Sequence, residues 1–290
     1  MTRLAVLVAQ HKSTSRLLML GSLSLQSPAV MGILNITPDS FSDGGKLNSV
    51  EAACAQARSM AAAGASLLDI GGESTRPGAL DVSLAEELQR VIPVIEAVRK
   101  VVDLPISIDT SKPEVMREAV AAGALMINDV MALQAPGALQ EAARLNVPVC
   151  LMHMQGQPRT MQNSPIYADV AADVTAFLSE RVAQCVQAGI RREQIVVDPG
   201  FGFGKALAHN VELLANLRTL QQLGLPVLVG LSRKRSLGDL TGKGVDARLP
   251  ASLSAATIAV LNGAAIVRAH DVGETVDALR IVSAVMEAAI

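Results

Sequence analysis

The residues of this chain that could do chemistry are isolated polar side chains, each of which directly follows a short apolar run. Amide, carboxylate and cationic groups in such places can hydrogen-bond a flat heterocycle or stabilise charge that develops in a reaction. Loops are polar anyway, which accounts for some Asp and Ser, but a desolvated charge beside apolar sequence needs a partner. That requirement makes Asp109, Asn128 and Arg268 the strongest candidates for a shared site. The set, in chain order, is Asn35, Asp69, Asp109, Asn128, His153, Asp198, Ser232, Lys234, Arg268 and His270.

Eight apolar runs rich in Val, Ile and Leu precede these side chains and must position them. Most of the runs lack alternating polar residues, which is typical of parallel strands buried on both faces. Ala-rich helical stretches separate the runs, and Gly64, Gly123, Gly189 and Gly263 stand where four of the helices should end. The predicted strands are Val30–Ile36, Ser66–Ile70, Pro105–Ile108, Leu125–Ile127, Pro148–Met152, Ile195–Val197, Pro226–Leu231 and Ala265–Val267.

A strand–helix unit repeated through the chain predicts an α/β fold with a parallel sheet. Eight such units in about 265 residues fit one closed (β/α)8 TIM barrel. In a barrel the carboxyl ends of all eight strands open onto one mouth, whereas an open doubly wound sheet collects its site at a switch point. We therefore predict a single barrel domain over residues 26–290, preceded by an N-terminal extension or edge element over residues 1–25.

Three segments at this mouth, 35–45, 71–78 and 200–205, are long or rich in glycine. Glycine lets backbone approach a ligand and supplies hinges, so we predict long mobile loops after the first and second strands. Three of the four Phe residues lie in these segments, and each either packs on a flat ligand or covers the core beneath its loop. They are Phe41, Phe201 and Phe203.

Composition and charge exclude several classes of function. The formal net charge is −2 and aromatic residues make up 2% of the chain, which argues against binding nucleic acid by phosphate contacts or base stacking. No run of about 18 apolar residues occurs, so no transmembrane helix and no membrane partner are expected. The three cysteines lack metal-ligand spacing and predict buried thiols in a reducing, cytoplasmic compartment.

The chain from residue 30 onward resembles the dihydropteroate synthases, a family of pterin-binding enzymes. The resemblance implies a transferase of folate biosynthesis on a (β/α)8 barrel. It implies condensation of (7,8-dihydropterin-6-yl)methyl diphosphate with p-aminobenzoate, giving 7,8-dihydropteroate and diphosphate. The motifs that carry it are Met31–Gly45, Asp69–Gly78, Ile108–Ser111, Ile127–Asp129, Leu151–Gly156, Asp198–Lys205, Ser232–Lys234 and Arg268–Val272.

The resemblance also implies roles for individual residues. Asp198 would bind the donor edge of the pterin with its carboxylate, because two charge-assisted hydrogen bonds match that edge. The pterin-binding set is Asp109, Asn128, Asp198, Lys234 and Arg268, and the catalytic set is Asp109, Lys234, Arg268 and His270. The p-aminobenzoate pocket would consist of Phe41, Thr75, Arg76, Pro77, Phe203 and Ser232. Diphosphate would face Asn35, Thr75, Arg268 and His270.

The same resemblance implies a Mg²⁺ cofactor with Asn35 as its ligand and a homodimer. The family is the target of sulfonamide drugs, but the sequence does not give the sensitivity of this chain to them. The expected mechanism is a dissociative displacement, since an arylamine is nucleophilic without deprotonation and the difficult step is the departure of diphosphate. Arg268, His270 and magnesium would take up the leaving charge. Asp109 and Asp198 would stabilise the cationic ring that remains.

Several residues have plainer interpretations. For Asp69, Glu73 and His153 we favour a structural role, and Arg233 is expected to form an outer salt bridge. Lys205 would stabilise either the glycine-rich loop or a phosphate, and the sequence leaves both open.

Three other functions are compatible with a polar barrel mouth. Methyltetrahydrofolate-type methyltransferase barrels share pterin-binding Asp and Asn positions but lack the long first and second loops. A non-catalytic pterin-binding barrel predicts loss of Lys234, Arg268 or His270, and all three are present. A phosphate-binding barrel isomerase needs a general base and a glycine-rich phosphate site after the last two strands.

Overall fold

A computed structural model describes residues 16–36, 45–74, 81–156, 161 and 165–288. Ten strands occur in these ranges, and the last eight form a closed parallel barrel in which β10 pairs with β3. The predicted (β/α)8 TIM barrel is therefore confirmed. The strands are β1 Arg16–Leu20, β2 Leu23–Ser27, β3 Ala29–Asn35, β4 Leu67–Gly71, β5 Ile106–Asp109, β6 Met126–Asp129, β7 Val149–Met152, β8 Ile195–Asp198, β9 Val227–Gly230 and β10 Ala264–Ala269.

Helices follow the barrel strands and cover their outer faces. Gly64, Gly123, Gly189 and Gly263 all have positive φ, which supplies the left-handed turn that ends a helix before the next strand. The helices of the described ranges are α1 Gly45–Ala62, α2 Leu84–Val98, α3 Pro113–Ala122, α4 Ala138–Leu145, α5 Val170–Gln187, α6 Leu207–Ala215, α7 Arg235–Thr241, α8 Leu249–Leu261 and α9 Val272–Ala288. In this part of the chain no helix has the length and apolar character needed to cross a membrane.

Strand alternation divides the barrel residues into two groups with different surroundings. Outward Val, Ile and Leu side chains pack beneath the helices in one large core. Inward side chains near the amino end of the strands form a second apolar cluster, which includes Leu67, Met126, Val196 and Ile266. Because successive side chains alternate between faces, the residue two positions later on each strand also points inward. Those residues are Asp69, Asn128, Asp198 and Arg268.

An antiparallel hairpin of β1 and β2 precedes the barrel. Its Leu20, Leu23 and Leu25 are buried in the inner cluster, together with Met31 of β3. The hairpin thus packs against the amino end of the barrel, opposite the polar mouth. Residues 1–15 lie outside the described ranges, and the division of the chain at residue 25 stays a prediction.

Candidate active site

Arg268 is the centre of a buried polar cluster inside the barrel mouth. Its Nε lies 2.6 Å from Oδ2 of Asp69, and a terminal guanidinium nitrogen lies 2.8 Å from Oδ2 of Asp109. Asn128 donates to the same Asp69 oxygen at 3.0 Å. Strands β4, β5, β6 and β10 thereby bring together one cation, two carboxylates and an amide.

The strand register explains why these side chains meet. Asn35 pairs with Gly71, Gly71 with Asp109, and Asp109 with Asn128, so the carboxyl ends of four consecutive strands are level. A Cβ on Gly71 would lie 3.2 Å from Cβ of Asp109, tighter than usual van der Waals contact. Glycine at this position leaves Asp109 room beside the mouth.

A second group of site residues comes from β8 and the connection after β9. Asp198 is buried, and its Oδ1 accepts from the Gly200 N–H at 2.7 Å. Lys234 is among the cations whose charge acts on Asp198. The Lys234 ammonium lies 4.1 Å from the centre of the Phe203 ring, within the range of a cation–π contact. Carboxylate, ammonium and aromatic ring are thus neighbours.

His270 and Ser232 join the ends of β10 and β9. The Ser232 hydroxyl accepts from the His270 backbone N–H at 3.2 Å and lies 3.1 Å from its Nδ1. If the hydroxyl donates to Nδ1, the imidazole proton is on Nε2, the nitrogen suited to hydrogen-bond an anion. Arg233 forms a salt bridge with Asp271, which confirms its expected outer position.

Burial shifts the protonation of the two candidate pterin-binding carboxylates. It raises the pKa of Asp109 to about 7, although the charge of Arg268 opposes the shift. It raises the pKa of Asp198 to about 6, against the hydrogen bond from Gly200 and the charge of Lys234. Burial disfavours the charged form of Arg268, but Asp69 and Asp109 raise its pKa above the ordinary value. The guanidinium stays charged, while both carboxyl groups exchange protons near neutrality.

A model of the pterin binding enzyme family matches residues 31–270. The chain belongs to the pterin-binding enzyme family.

Relatives within this pterin-binding family are similar over nearly the whole chain. Dihydropteroate synthase of Escherichia coli K12 is 55% identical over 267 residues, which are 92% of this chain and 95% of that protein. Dihydropteroate synthase of Xanthomonas albilineans with 4-aminobenzoic acid superposes with a TM-score of 0.87 at 55% identity, covering 94% of this chain and 98% of that one. The same enzyme in complex with 7,8-dihydropteroate gives a TM-score of 0.84 at 53% identity, covering 93% and 98%. The resemblance seen in the motifs is confirmed.

Asp69 belongs to the candidate site as the support of two candidate residues. Its carboxylate is fully buried and holds both Arg268 and Asn128, so it fixes their geometry from below. The sequence alone favours a structural role for Asp69, because carboxylates at strand ends often fix loop backbone. Its position two residues after the inward Leu67 could have placed it with Asn128 and Asp198.

Two residues of the glycine-rich segment after β8 are buried and contact other parts of the protein interior. Phe201 is 1% exposed and belongs to the outer core, so it covers the core rather than a ligand. The Lys205 ammonium is buried and donates to the Gly200 and Phe203 carbonyls. It also lies 2.9 Å from Nδ1 of His153, which accepts whenever Lys205 is protonated. Burial lowers the pKa of Lys205 to about 7. Burial, followed by the charge of Lys205, lowers the pKa of His153 to about 3, so this imidazole is neutral.

Some of the predicted site lies outside the described residues. Phe41 of the first loop and Thr75, Arg76 and Pro77 of the second loop fall in gaps, so their placement stays a prediction. Asn35 is partly buried at the carboxyl end of β3, level with Asp109. The described ranges contain no group of three His, Cys, Asp or Glu side chains arranged for a metal ion.

Proposed function

We propose that the protein is a dihydropteroate synthase, which condenses (7,8-dihydropterin-6-yl)methyl diphosphate with p-aminobenzoate to give 7,8-dihydropteroate and diphosphate. The observation that carries the proposal is the buried cluster of Arg268, Asp109, Asp69 and Asn128 in the mouth of a barrel. Asp198 and Lys234 complete a ring of fixed charges around one cavity mouth. The proposed reaction is that of dihydropteroate synthases, two of which are 55% identical to this chain in sequence.

The pterin is held by hydrogen bonds that match its edges. Asp198 accepts from the 2-amino and ring N–H groups, and its free lone pairs suit a two-point contact. Asn128 binds the same ring through its amide, whose orientation is fixed by the bond to Asp69. Asp109 accepts from the second ring, and Lys234 donates to the ring acceptor atoms. Each of these groups is anchored before substrate arrives.

Diphosphate lies over Arg268 and His270, with Asn35 on the neighbouring strand β3. The Asn35 side chain offers one hard amide oxygen, and Mg²⁺ commonly binds through one or two protein oxygens plus substrate phosphates. That preference fits a site in which the described residues offer no group of three His, Cys, Asp or Glu side chains placed to hold a metal ion. Magnesium, when bound, would neutralise part of the diphosphate charge. His270 would donate from Nε2 and Arg268 would supply a fixed positive charge.

The chemical step is a displacement at the pterin methylene carbon. The carbon–oxygen bond to diphosphate breaks first, and its electron pair leaves with the diphosphate. The electron-rich dihydropterin delocalises the resulting positive charge, which the carboxylates of Asp109 and Asp198 stabilise. The neutral arylamine nitrogen then attacks the methylene carbon and loses one proton. Exclusion of water matters because water would trap the same cation.

The amine enters beside Phe203 and Ser232. Phe203 is partly exposed next to Lys234, and Ser232 is fixed by His270, so both stand at the outer side of the pterin site. Phe41, Thr75, Arg76 and Pro77 are proposed as the remaining walls. Sulfonamide drugs, which resemble p-aminobenzoate in shape and charge, would compete for this pocket.

We also propose a homodimer and a cytoplasmic location. Exposed apolar side chains concentrate on the last three helices, which is the kind of surface that a second copy covers. All three cysteines are free and buried, as expected in a reducing compartment. The exposed apolar residues of these helices include Leu240, Ile258, Leu261, Ile281 and Val285.

The direct test supplies the purified protein with the pterin diphosphate, p-aminobenzoate and Mg²⁺, and measures dihydropteroate and diphosphate together. Equal amounts of the two products are expected. An Asp198→Asn variant serves as control, because it keeps the side-chain shape but loses the negative charge that pairs with the pterin edge. Pterin binding without product would favour the non-catalytic barrel, and absence of pterin binding would reject the proposal.

A further inference from the structure

The glycine-rich segment after β8 is pressed against the end of β7. A Cβ at Gly200 would lie 1.9 Å from the His153 carbonyl oxygen, and one at Gly204 would lie 2.3 Å from that of Gln155. Both glycines also have positive φ, which other residues adopt only with strain, and any side chain at either position would collide with backbone. The backbone of this segment therefore lies directly against the backbone that follows β7. Hydrogen bonds to the segment are needed to keep it in this position.

Lys205 supplies most of those bonds from inside the protein. Its side chain is 2% exposed, and Nζ lies 2.9 Å from the Gly200 carbonyl oxygen and 3.0 Å from that of Phe203. The third short contact, at 2.9 Å, is with Nδ1 of His153 on the neighbouring strand end. The His153 carbonyl oxygen lies farther away, at 3.4 Å, so the nitrogen has four partners in reach for the three N–H donors of its protonated form. Burial lowers the pKa of Lys205 to about 7, although the charge of Asp198 opposes the shift.

This bonding excludes the alternative role of Lys205 as a phosphate ligand. A phosphate oxygen would have to displace a carbonyl or imidazole partner from a buried ammonium. Each displaced carbonyl would then lose its hydrogen bond, at a cost of the order of 1–3 kcal/mol. Lys205 therefore acts on the segment itself and leaves the diphosphate to Arg268 and His270.

The two carbonyls that Lys205 binds belong to residues that shape the site. Gly200 donates its N–H to Asp198, the carboxylate proposed for the pterin edge. Phe203 presents its ring to Lys234 at the proposed amine pocket. Asn210 supports the same segment by accepting from the Gly202 N–H at 2.7 Å.

We propose that Lys205 is a positioning residue of this enzyme, which aligns Phe203 with Lys234 and so determines the affinity for the arylamine. The inference rests on the proposed function, since it assigns the amine to this pocket. The position of Phe203 depends on Lys205 more than the position of Asp198 does. The backbone of Asp198 is also held by its pairing with Met152 in the barrel. Loss of the ammonium should thus weaken amine binding more than pterin binding.

The test replaces Lys205 by Met, which keeps the length and removes the donors. The KM for p-aminobenzoate should rise about tenfold or more, since small displacements of positioning groups have effects of this size. The dissociation constant of the pterin, measured by its fluorescence in a chain without Trp, should change less than about threefold.

Arg181→Met is the matched control for a loss of stability. Arg181 is also a buried cation on backbone carbonyls, those of Ala132 and Leu133. Within the described residues its hydrogen bonds go to these carbonyls and to Gln184, and none goes to the glycine-rich segment. Both variants should lower the melting temperature, but only Lys205→Met should raise the KM for the amine. Lower stability with unchanged KM values in both variants would reduce Lys205 to a structural role and overturn the proposal.

A milder variant keeps the test decisive if Lys205→Met does not fold. Tyr167, the only Tyr of the chain, donates to the Gly204 carbonyl at 2.7 Å, and Tyr167→Phe removes this bond alone. A rise of about threefold in the amine KM with unchanged pterin binding supports the inference. Unchanged values reject it. A wild-type protein without synthase activity would reject the proposed function instead, so the two failures are distinguishable.

Discussion

Replacement of Asp109 by Asn separates the charge of this residue from its shape. The carboxylate accepts from Arg268 at 2.8 Å, and an amide oxygen in the same place can accept the same bond. What the variant loses is the negative charge beside the dihydropterin ring. We expect kcat to fall about 100-fold or more, the size seen when one preorganised electrostatic group is removed. Pterin binding should weaken by less than about tenfold, because Asn128, Asp198 and Lys234 remain.

The pKa of Asp109 gives this prediction a pH dependence. With a pKa of about 7, about one tenth of the free enzyme carries the carboxylate at pH 6 and about nine tenths at pH 8. The part of the wild-type kcat/KM for the pterin substrate that depends on the Asp109 carboxylate should therefore rise about tenfold over this range. In Asp109→Asn the rise of kcat/KM near pH 7 should disappear, and only the titration of Asp198 near pH 6 should remain.

The raised pKa of Asp109 also predicts how the stability of Asp109→Asn, relative to the wild type, depends on pH. The folded pKa lies above the unfolded value of 3.8, so the folded state binds more protons between these two values. This group therefore reduces the free energy of unfolding as pH rises through that window, by up to about 4 kcal/mol. Asp109→Asn has no carboxyl group at this position to lose a proton. Its free energy of unfolding should therefore increase relative to that of the wild type from pH 4 to pH 8.

Steady-state kinetics and urea unfolding across this pH range measure both effects. The ratio of wild-type to variant kcat/KM cancels the ionisation of the diphosphate substrate, which both proteins share. A kcat near the wild-type value would refute the role of the Asp109 charge. A pH-independent ratio would refute its titration near neutrality, and a less stable variant at pH 8 would show a misfolded site.

Three further perturbations test the surrounding parts of the site. Arg268→Met should cost about 3–5 kcal/mol of stability by leaving the buried carboxylate of Asp69 without its cation, as measured by thermal and urea unfolding; a stability loss below 1 kcal/mol would contradict the buried pair. Deletion of Thr37–Gly45 should abolish p-aminobenzoate binding while pterin binding stays measurable by calorimetry, and equal loss of both would contradict a layered site. Removal of Mg²⁺ with a chelator should weaken binding of the pterin diphosphate but not of the pterin alcohol; parallel weakening would place the metal elsewhere.

Much of the fold could be predicted from the sequence, because few structures are compatible with its pattern of apolar runs and helical stretches. Uniformly apolar runs, separated by helical stretches that end in glycine, allow only strands buried on both faces. All eight predicted strands are present, with ends that differ by three residues or fewer. The hairpin of residues 16–27 is harder to foresee, since its alternating pattern is short and its partner surface is formed by side chains distant in sequence.

The site was predictable as a set of residues but not as a network of contacts. Polar residues after apolar runs identified Asp109, Asn128, Asp198 and Arg268. The bond between Arg268 and Asp69 joins residues 199 positions apart, so only the closure of the barrel reveals it. The Phe residues illustrate the same limit: Phe201 packs in the core and Phe203 faces Lys234, although both stand beside glycines in one loop.

The most direct measurement of the central claim is a crystal structure with a bound dihydropterin. The ring is expected inside the barrel mouth, with its 2-amino edge on Asp198 and Asn128 and its second ring beside Asp109. A pterin bound on an outer surface, or contacted by none of these three side chains, would contradict it.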